Sequence, residues 1–340
     1  MKVFYSEVHR KHEPPFEVFD GGLRVPYLEN PDRMDRILSA LRGTDWAEIA
    51  EPADFGLDPI YAIHDKDYMD FLASAWTEWL ATDSKDKSTL LPATFALRRH
   101  PQKPDSLLGR AGYYMMDLSA CIVEGTYQAA LAAANCALSA AQAVASGEHS
   151  AFALCRPPGH HAGKDYAGGY CFINNASVAA NWLSSKGKVA LLDVDYHCGN
   201  GTQDIFYERD DVLTVSIHAD PNFEYPHFAG YADERGNGKG LGFHHNLPLP
   251  TGVDDPAYLG TLNRALDVIR EFKPAYLVLS AGMDIYTEDP LGKIKVTTEG
   301  ITEIGKWISA LDLPTVIVME GGYNNEALGK NVIGFVGAFE

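Results

Sequence analysis

From Ser150 onward, short runs of β-branched and apolar residues end abruptly in glycine, histidine, aspartate or tyrosine. The runs cover 151–155, 189–194, 212–217, 276–279 and 315–319. Runs this short and this uniformly apolar suit strands covered on both faces, because a strand with one wet face alternates instead. Between them, apolar positions recur with a helical period, as over 176–183 and 258–272. The pattern predicts an α/β fold with a mostly parallel central sheet covered by helices on both faces. Ligands of such sheets bind beyond the carboxyl ends of the strands, which is where the polar clusters begin.

Two stretches of the amino-terminal half stand apart. Residues 125–147 contain no charge and are rich in alanine. Gln128, Asn135, Ser139, Gln142 and Ser146 interrupt them and no bulky apolar run is present, so they predict a long packed helix rather than a membrane span. Residues 84–112 mix lysine, arginine and proline with weak periodicity and read as a long surface excursion. With no repeat, low-complexity tract or linker, the reading is a single domain over 1–340 with a loop insertion at about 84–112.

Composition narrows the partners. A 46% hydrophobic, 22% charged chain is an ordinary folded one, which excludes disordered, collagen-like and coiled-coil classes. Asp plus Glu number 46 against 28 Lys plus Arg, a net charge of −18. That balance disfavours nucleic acid and anionic membranes and favours a cationic ligand. Five cysteines without a Cys-x-x-Cys pair imply reduced thiols. Glu7 precedes any apolar stretch, so no secretory signal is read and a cytoplasmic location is expected.

Chemistry concentrates after the apolar runs. Strand periodicity over 192–197 puts Asp193, Asp195 and His197 on one face, with Val194 and Tyr196 opposite. Two neighbouring carboxylates repel unless a cation or strong donors lie between them. Asp284 follows another apolar run and joins them if the two strands are neighbours. Asp and His donors with an open position suit a catalytic Zn²⁺ or Fe²⁺ better than a structural ion. Taken separately, an Asp-x-Asp also serves as a helix cap, and His197 as a satisfied core histidine. His160-His161 follows Pro157-Pro158-Gly159, a rigid approach that can aim imidazoles at a site. His244-His245 reads as an incidental surface pair. Gly321-Gly322-Tyr323 puts a phenol where it can donate to a developing oxyanion. There is no Gly-x-Ser-x-Gly elbow, so nothing calls for a covalent intermediate.

Together, Arg156-Pro157-Pro158-Gly159-His160-His161, Gly168-Gly169-Tyr170-Cys171-Phe172-Ile173-Asn174-Asn175, Asp193-Val194-Asp195-Tyr196-His197, Asp284 and Glu320-Gly321-Gly322-Tyr323 resemble the histone deacetylase superfamily. The likeness begins at Glu29-Asn30-Pro31-Asp32-Arg33 and spans most of the chain. Through the insertion and Gly112-Tyr113-Tyr114 it runs to the bacterial acetylpolyamine amidohydrolases. It implies the arginase/deacetylase fold and Zn²⁺ (Fe²⁺ as an alternative in the cell) on Asp195, His197 and Asp284. His161 is then the general base and His160 its electrostatic partner, oriented by Asn200 and Asp193 respectively, with Tyr323 polarising the acyl carbonyl. The likeness also implies a tunnel walled by Tyr170, Tyr225 and Gly169, and a structural K⁺ beside Asp193, Asp195, His197, Ser216 and Ile217. Glu17 and Asp117 are the acids expected to meet a cationic amine tail, and a homodimer through the insertion is expected to narrow access.

Two departures are visible. Cys198 stands where many relatives have a second histidine, and Asn200 where some have aspartate, which removes a charge that would make His161 more basic. The expected activity is hydrolysis of N-acetylated polyamines, with a protein lysine deacetylase as the alternative. A two-metal ureohydrolase fits less well, since Ile285-Tyr286 stands where a further bridging aspartate is needed. A non-catalytic binder fits poorly because every reacting group is present.

Overall fold

Eight strands, all parallel, form one sheet in the computed structural model, which describes residues 1–19, 22–96 and 102–340. In chain order the strands of the molecule are β1 (Lys2–Phe4), β2 (Glu17–Phe19), β3 (Leu23–Val25), β4 (Glu48–Ala50), β5 (Ser150–Ala153), β6 (Val189–Asp193), β7 (Val212–Ala219), β8 (His244–Leu249), β9 (Tyr276–Ala281) and β10 (Thr315–Met319). The sheet order is β4-β1-β5-β10-β9-β6-β7-β8, while β2 and β3 pair as a separate antiparallel hairpin.

The continuous apolar runs follow from two covered faces. Leu277, Leu279, Ile317, Leu192 and Val215 point into one core with α1 (Asp32–Leu41) and three carboxyl-terminal helices, 255–272, 298–309 and 328–336. Their chain neighbours Val278, Val316, Val318 and Leu191 point into the other, beneath helices 126–145 and 175–184. Neither face meets water, so alternation vanishes from the sequence. The alanine-rich stretch is the helix Thr126–Ala145, whose small side chains pack closely on the neighbouring helix and β5. Among the described residues no helix is long and apolar enough to cross a membrane.

Three sequence expectations need amending. The segment 84–112 is not irregular throughout: it closes with the helix Leu107–Tyr114, and Leu90, Leu107 and Ala111 are buried in a second apolar cluster. Its residues 97–101 lie outside the described part of the chain. His244 is not a surface residue; it begins strand β8, is buried, and hydrogen-bonds Thr214 through Nδ1 and Gln203 Oε1 through Nε2 at 2.9 Å. Strands β1, β4 and β8 had no counterpart among the apolar runs, because two span three residues each and the third carries His, Asn and Pro.

Candidate active site and metal centre

Sheet register brings the predicted donors together. β6 pairs with β9 so that Asp193 sits opposite Ser280, and the loops leaving both strands share one edge. One donor atom from each of Asp195, His197 and Asp284 lies within 4.8 Å of the others. His197 Nδ1 is 3.3 Å from Asp195 Oδ1 and 3.1 Å from Asp284 Oδ2. The convergence does not come from strand alternation, as the sequence reading had it, because β6 ends at Asp193. Past that point, side chains replace the ladder: Asp193 Oδ1 accepts from the Asp195 amide (3.0 Å), and Asp195 Oδ1 from the His197 amide (2.8 Å). Asp284 Oδ1 accepts from the Tyr196 amide (2.9 Å) and Asp195 Oδ2 from the Gly321 amide (2.9 Å). A Cβ at Gly282 would lie 2.0 Å from Asp195 Oδ2, and one at Gly321 2.5 Å from Asp284 Oδ2, so only glycine lets the backbone come this near.

The charge balance of this group calls for a cation. Burial, and then the nearby charge of Asp195, push the Asp284 carboxyl up to about 7. Burial alone would lower the His197 pKa, but its hydrogen bonds to Asp195 and Asp284 outweigh that and raise it to about 10. A positive charge between the two carboxylates is therefore strongly favoured. Two oxygens and an imidazole nitrogen, on a residue that also lines an open cavity, fit a catalytic divalent ion.

The tandem histidines receive opposite treatment. His160 Nδ1 lies 3.0 Å from Asp193 Oδ2, and its Nε2 3.8 Å from Asp195 Oδ1. Burial disfavours its charge, yet Asp195 and Asp193 overcome this and hold it protonated. His161 Nδ1 faces Asn200 Oδ1 at 2.7 Å. Burial, reinforced by the charges of His160 and His197, holds His161 neutral and well below the usual imidazole range. Since Asn200 Nδ2 donates to the Tyr166 hydroxyl (3.1 Å), its Oδ1 is left to accept, so Nδ1 of His161 carries the proton and Nε2 is the free acceptor.

The loop bearing both histidines is pinned by residues the sequence reading had quoted without a role. Asn174 Nδ2 donates to the Ala162 carbonyl (3.0 Å) and to Thr202 Oγ1 (3.1 Å), and Asn175 Nδ2 to the Pro157 carbonyl (3.1 Å). Glu320 Oε2 accepts from the Gly159 and His160 amides. Arg33, fully buried, donates to the carbonyls of Gly322 and Glu320 (2.7 Å each) and to Glu29 Oε1 (2.7 Å). Its guanidinium lies over the Tyr323 ring at 4.9 Å. Asp289 was missed altogether: buried, it accepts from the Tyr323 amide (2.6 Å) and the Leu291 amide (3.0 Å). The one advance signal was the four-residue spacing of Glu29 and Arg33, which suits a helix-start ion pair.

A cavity of about 600 Å³ opens onto His161, His197 and Tyr323, with Tyr170, Tyr225, Gly169 and Asp117 in its wall. Burial keeps the Tyr323 phenol well above the ordinary range, hence protonated. Asp117 Oδ2 accepts from the Gly169 amide (2.7 Å) and the Tyr225 hydroxyl (2.6 Å). Glu17 does not line this cavity. Its carboxylate lies buried behind Tyr170, accepting that hydroxyl on Oε2 and the Leu28 amide on Oε1 (2.9 Å). Ser216 lies opposite Asp193 across β6 and β7, with Ile217 next to it; the Ser216 hydroxyl meets His218 Nδ1 at 2.7 Å. Cys198 is buried away from the metal-ligand group, where a Cβ on Gly230 would come within 3.0 Å of its sulfur.

The histone deacetylase domain matches residues 27–339. Acetylpolyamine amidohydrolase 2 of Pseudomonas aeruginosa is 45% identical, with 100% of this chain and 99% of that protein aligned. Acetylpolyamine amidohydrolase of Mycoplana ramosa is 42% identical over 98% and 97% of the two chains. The crystal structure of acetylpolyamine aminohydrolase from Burkholderia pseudomallei superposes with a TM-score of 0.96 at 43% identity, covering 100% of this chain and 98% of that one.

Proposed function

This chain belongs to the histone deacetylase family and is a hydrolytic deacetylase, and from that premise we propose that it releases acetate and free amine from N-acetylated polyamines. The observation that carries this reading is the end-to-end likeness to relatives named acetylpolyamine amidohydrolases. The net charge of −18 suits a cationic tail, and the acids Asp117 and Glu224 stand in the cavity wall.

Asp195, His197 and Asp284 would hold Zn²⁺, with Fe²⁺ as the alternative metal in the cell. When bound, such an ion supplies Lewis acidity to the amide carbonyl and to the attacking water. His161 has the acceptor role: with Nδ1–H donated to Asn200, its Nε2 takes the proton of the water. His160 stays protonated on Asp193 and stabilises negative charge without exchanging its own proton. Tyr323 donates its hydroxyl hydrogen bond to the developing oxyanion. The proton gained by His161 then passes to the departing amine. Tyr170, Tyr225 and Gly169 wall the substrate chain. Asp193, Asp195, His197, Ser216 and Ile217 would flank a structural K⁺ that supports this edge of the sheet. The reading also includes a homodimer through the segment 84–112 and a cytoplasmic location, with neither nucleic acid nor membrane as partner.

The deciding experiment compares acetylputrescine, acetylcadaverine, acetylspermidine and an acetyl-lysine peptide with the Zn²⁺- and Fe²⁺-loaded protein. The small acetylated amines are expected to win in kcat/KM by about tenfold or more, a difference of roughly 1.4 kcal/mol. Preference for the peptide would assign the protein to lysine deacetylation instead.

A further inference from the structure

Two loops meet at the rim of the catalytic cavity through one ion pair. Lys293, on the loop that follows Asp284, places Nζ 2.6 Å from Oε1 of Glu224, on the loop that follows β7. Both residues line the same cavity as His161, His197 and Tyr323. The partners are unequally placed: the Glu224 side chain is 11% exposed and that of Lys293 60%. A carboxylate tucked into the wall is thus neutralised by an ammonium that reaches it from solvent on a flexible stem.

The other carboxylate in the wall is already committed. Asp117 accepts from Gly169 and Tyr225 on one oxygen and from the Ser119 amide on the other (2.9 Å). It shapes the wall, and a substrate tail would compete there with four fixed donors, the Ala120 amide (3.3 Å) being the fourth. At Glu224, which also faces the Tyr196 hydroxyl, the charged competitor is instead a primary ammonium on an alkyl chain, chemically the same group that ends an acetylated diamine. An ion pair with so exposed a partner is weak, so an incoming ammonium can replace it at little cost. When no cationic tail is present, Lys293 returns and spares the carboxylate from standing without a counter-charge in a partly buried wall.

We propose that Glu224 is the receptor for the distal ammonium of the substrate and that Lys293 is its built-in competitor, displaced when a cationic tail enters. The assignment rests on the polyamine reading above and specifies the tail-binding group within it.

The test uses the full chain loaded with Zn²⁺ and two substrates of matched length, N-acetylcadaverine and its neutral counterpart N-hexylacetamide. The readout is the ratio of their kcat/KM values. Lys293→Gln is expected to raise that ratio roughly two- to fivefold, through a lower KM for the cation. Glu224→Gln is expected to lower it by about fivefold or more. Lys295→Gln, which removes the same charge two residues further along the chain and outside the cavity lining, is expected to leave the ratio unchanged. A ratio untouched by Glu224→Gln, or equal effects at Lys293 and Lys295, would overturn the proposal while the wild-type preference for the cation stood. If the wild type itself shows no such preference, the polyamine reading and this assignment fall together.

Discussion

At the floor of the cavity, His160, Asp193, Asp195 and Asp284 are at most 3% exposed, and backbone amides or imidazoles occupy their carboxylate oxygens. At its rim, Lys293 is largely in solvent and Glu224 binds an ammonium that can leave. The floor is assembled from the ends of adjacent strands, whose spacing the parallel ladder fixes. The rim is assembled from loops after β7 and β9 and from the hairpin β2–β3, which contributes Val18 and Phe19. A floor of this kind cannot adapt to a new group, so changes there should act on the chemical step. A rim of exposed pairs can adapt, and changes there should act on recognition.

The hardest blow to the floor is Asp284→Asn. It removes a charge that His197 Nδ1 and the Tyr196 amide both use. Even partners of metal ligands are worth about 10- to 100-fold in metal affinity, and a ligand itself is worth more. The variant is expected to lose its divalent ion, measured by elemental analysis after dialysis, and to fall to background turnover. Retained metal with retained turnover would remove Asp284 from the centre.

Tyr323→Phe comes next and separates chemistry from metal binding. The phenol is held by its backbone bond to Asp289 and by Arg33 above the ring, and its hydroxyl is no part of the metal group. Loss of one oxyanion donor costs about 10²- to 10³-fold in kcat. Metal content is expected to stay at one ion per chain and KM to change little. A drop confined to KM would move Tyr323 from the floor's chemistry to the rim's recognition.

The same contrast explains what the sequence made legible. Residues at strand ends announce themselves, because an apolar run that stops at Asp193, Ser280 or Glu320 marks both the element and the edge. Hence the parallel sheet, the convergence of Asp195, His197 and Asp284, and the placing of the histidine pair at the strand ends were readable before any coordinates. The rim was not, because contacts such as that between Glu224 and Lys293 join positions 69 residues apart with no periodic signal between them. Glu17 shows the opposite error: an acid on an amino-terminal loop looks available, yet the fold buries it behind Tyr170. His244 was misread for a similar reason, since adjacent histidines carry no mark of which one faces inward. The backbone after Asp193 was misread in its cause alone: side-chain acceptors at i to i+2, rather than pleating, aim Asp195 and His197.

The smallest expected effect lies between floor and rim, at Asn200. Its Oδ1 accepts the Nδ1 proton of His161 at 2.7 Å, so Asn200→Asp would set a negative charge against a neutral base. In the proposed role His161 acts only unprotonated, and burial holds its pKa well below the usual imidazole range, which would keep it competent through the whole neutral range. In the metal-loaded protein, protonation of His161 is therefore expected to set an acid limb as pH falls through that lowered value. A carboxylate at this distance favours the imidazolium and raises the pKa by roughly one to three units. The acid limb of the kcat/KM profile should shift upward by the same amount, while the rate near pH 8 changes by less than about tenfold. The neighbouring chain of donors tempers the exchange. Asn200 Nδ2 donates to Tyr166, whose hydroxyl donates in turn to Asp204 Oδ2 at 2.6 Å. A carboxylate at position 200 would face the lone pairs of Tyr166, and two acids would compete for one phenolic proton. Pairing Asn200→Asp with Asp204→Asn lets Tyr166 turn its proton to the new carboxylate. The double variant should keep the shifted limb and recover the thermal stability that the single one loses. If neither variant moves the limb, His161 is not the group whose titration limits the reaction.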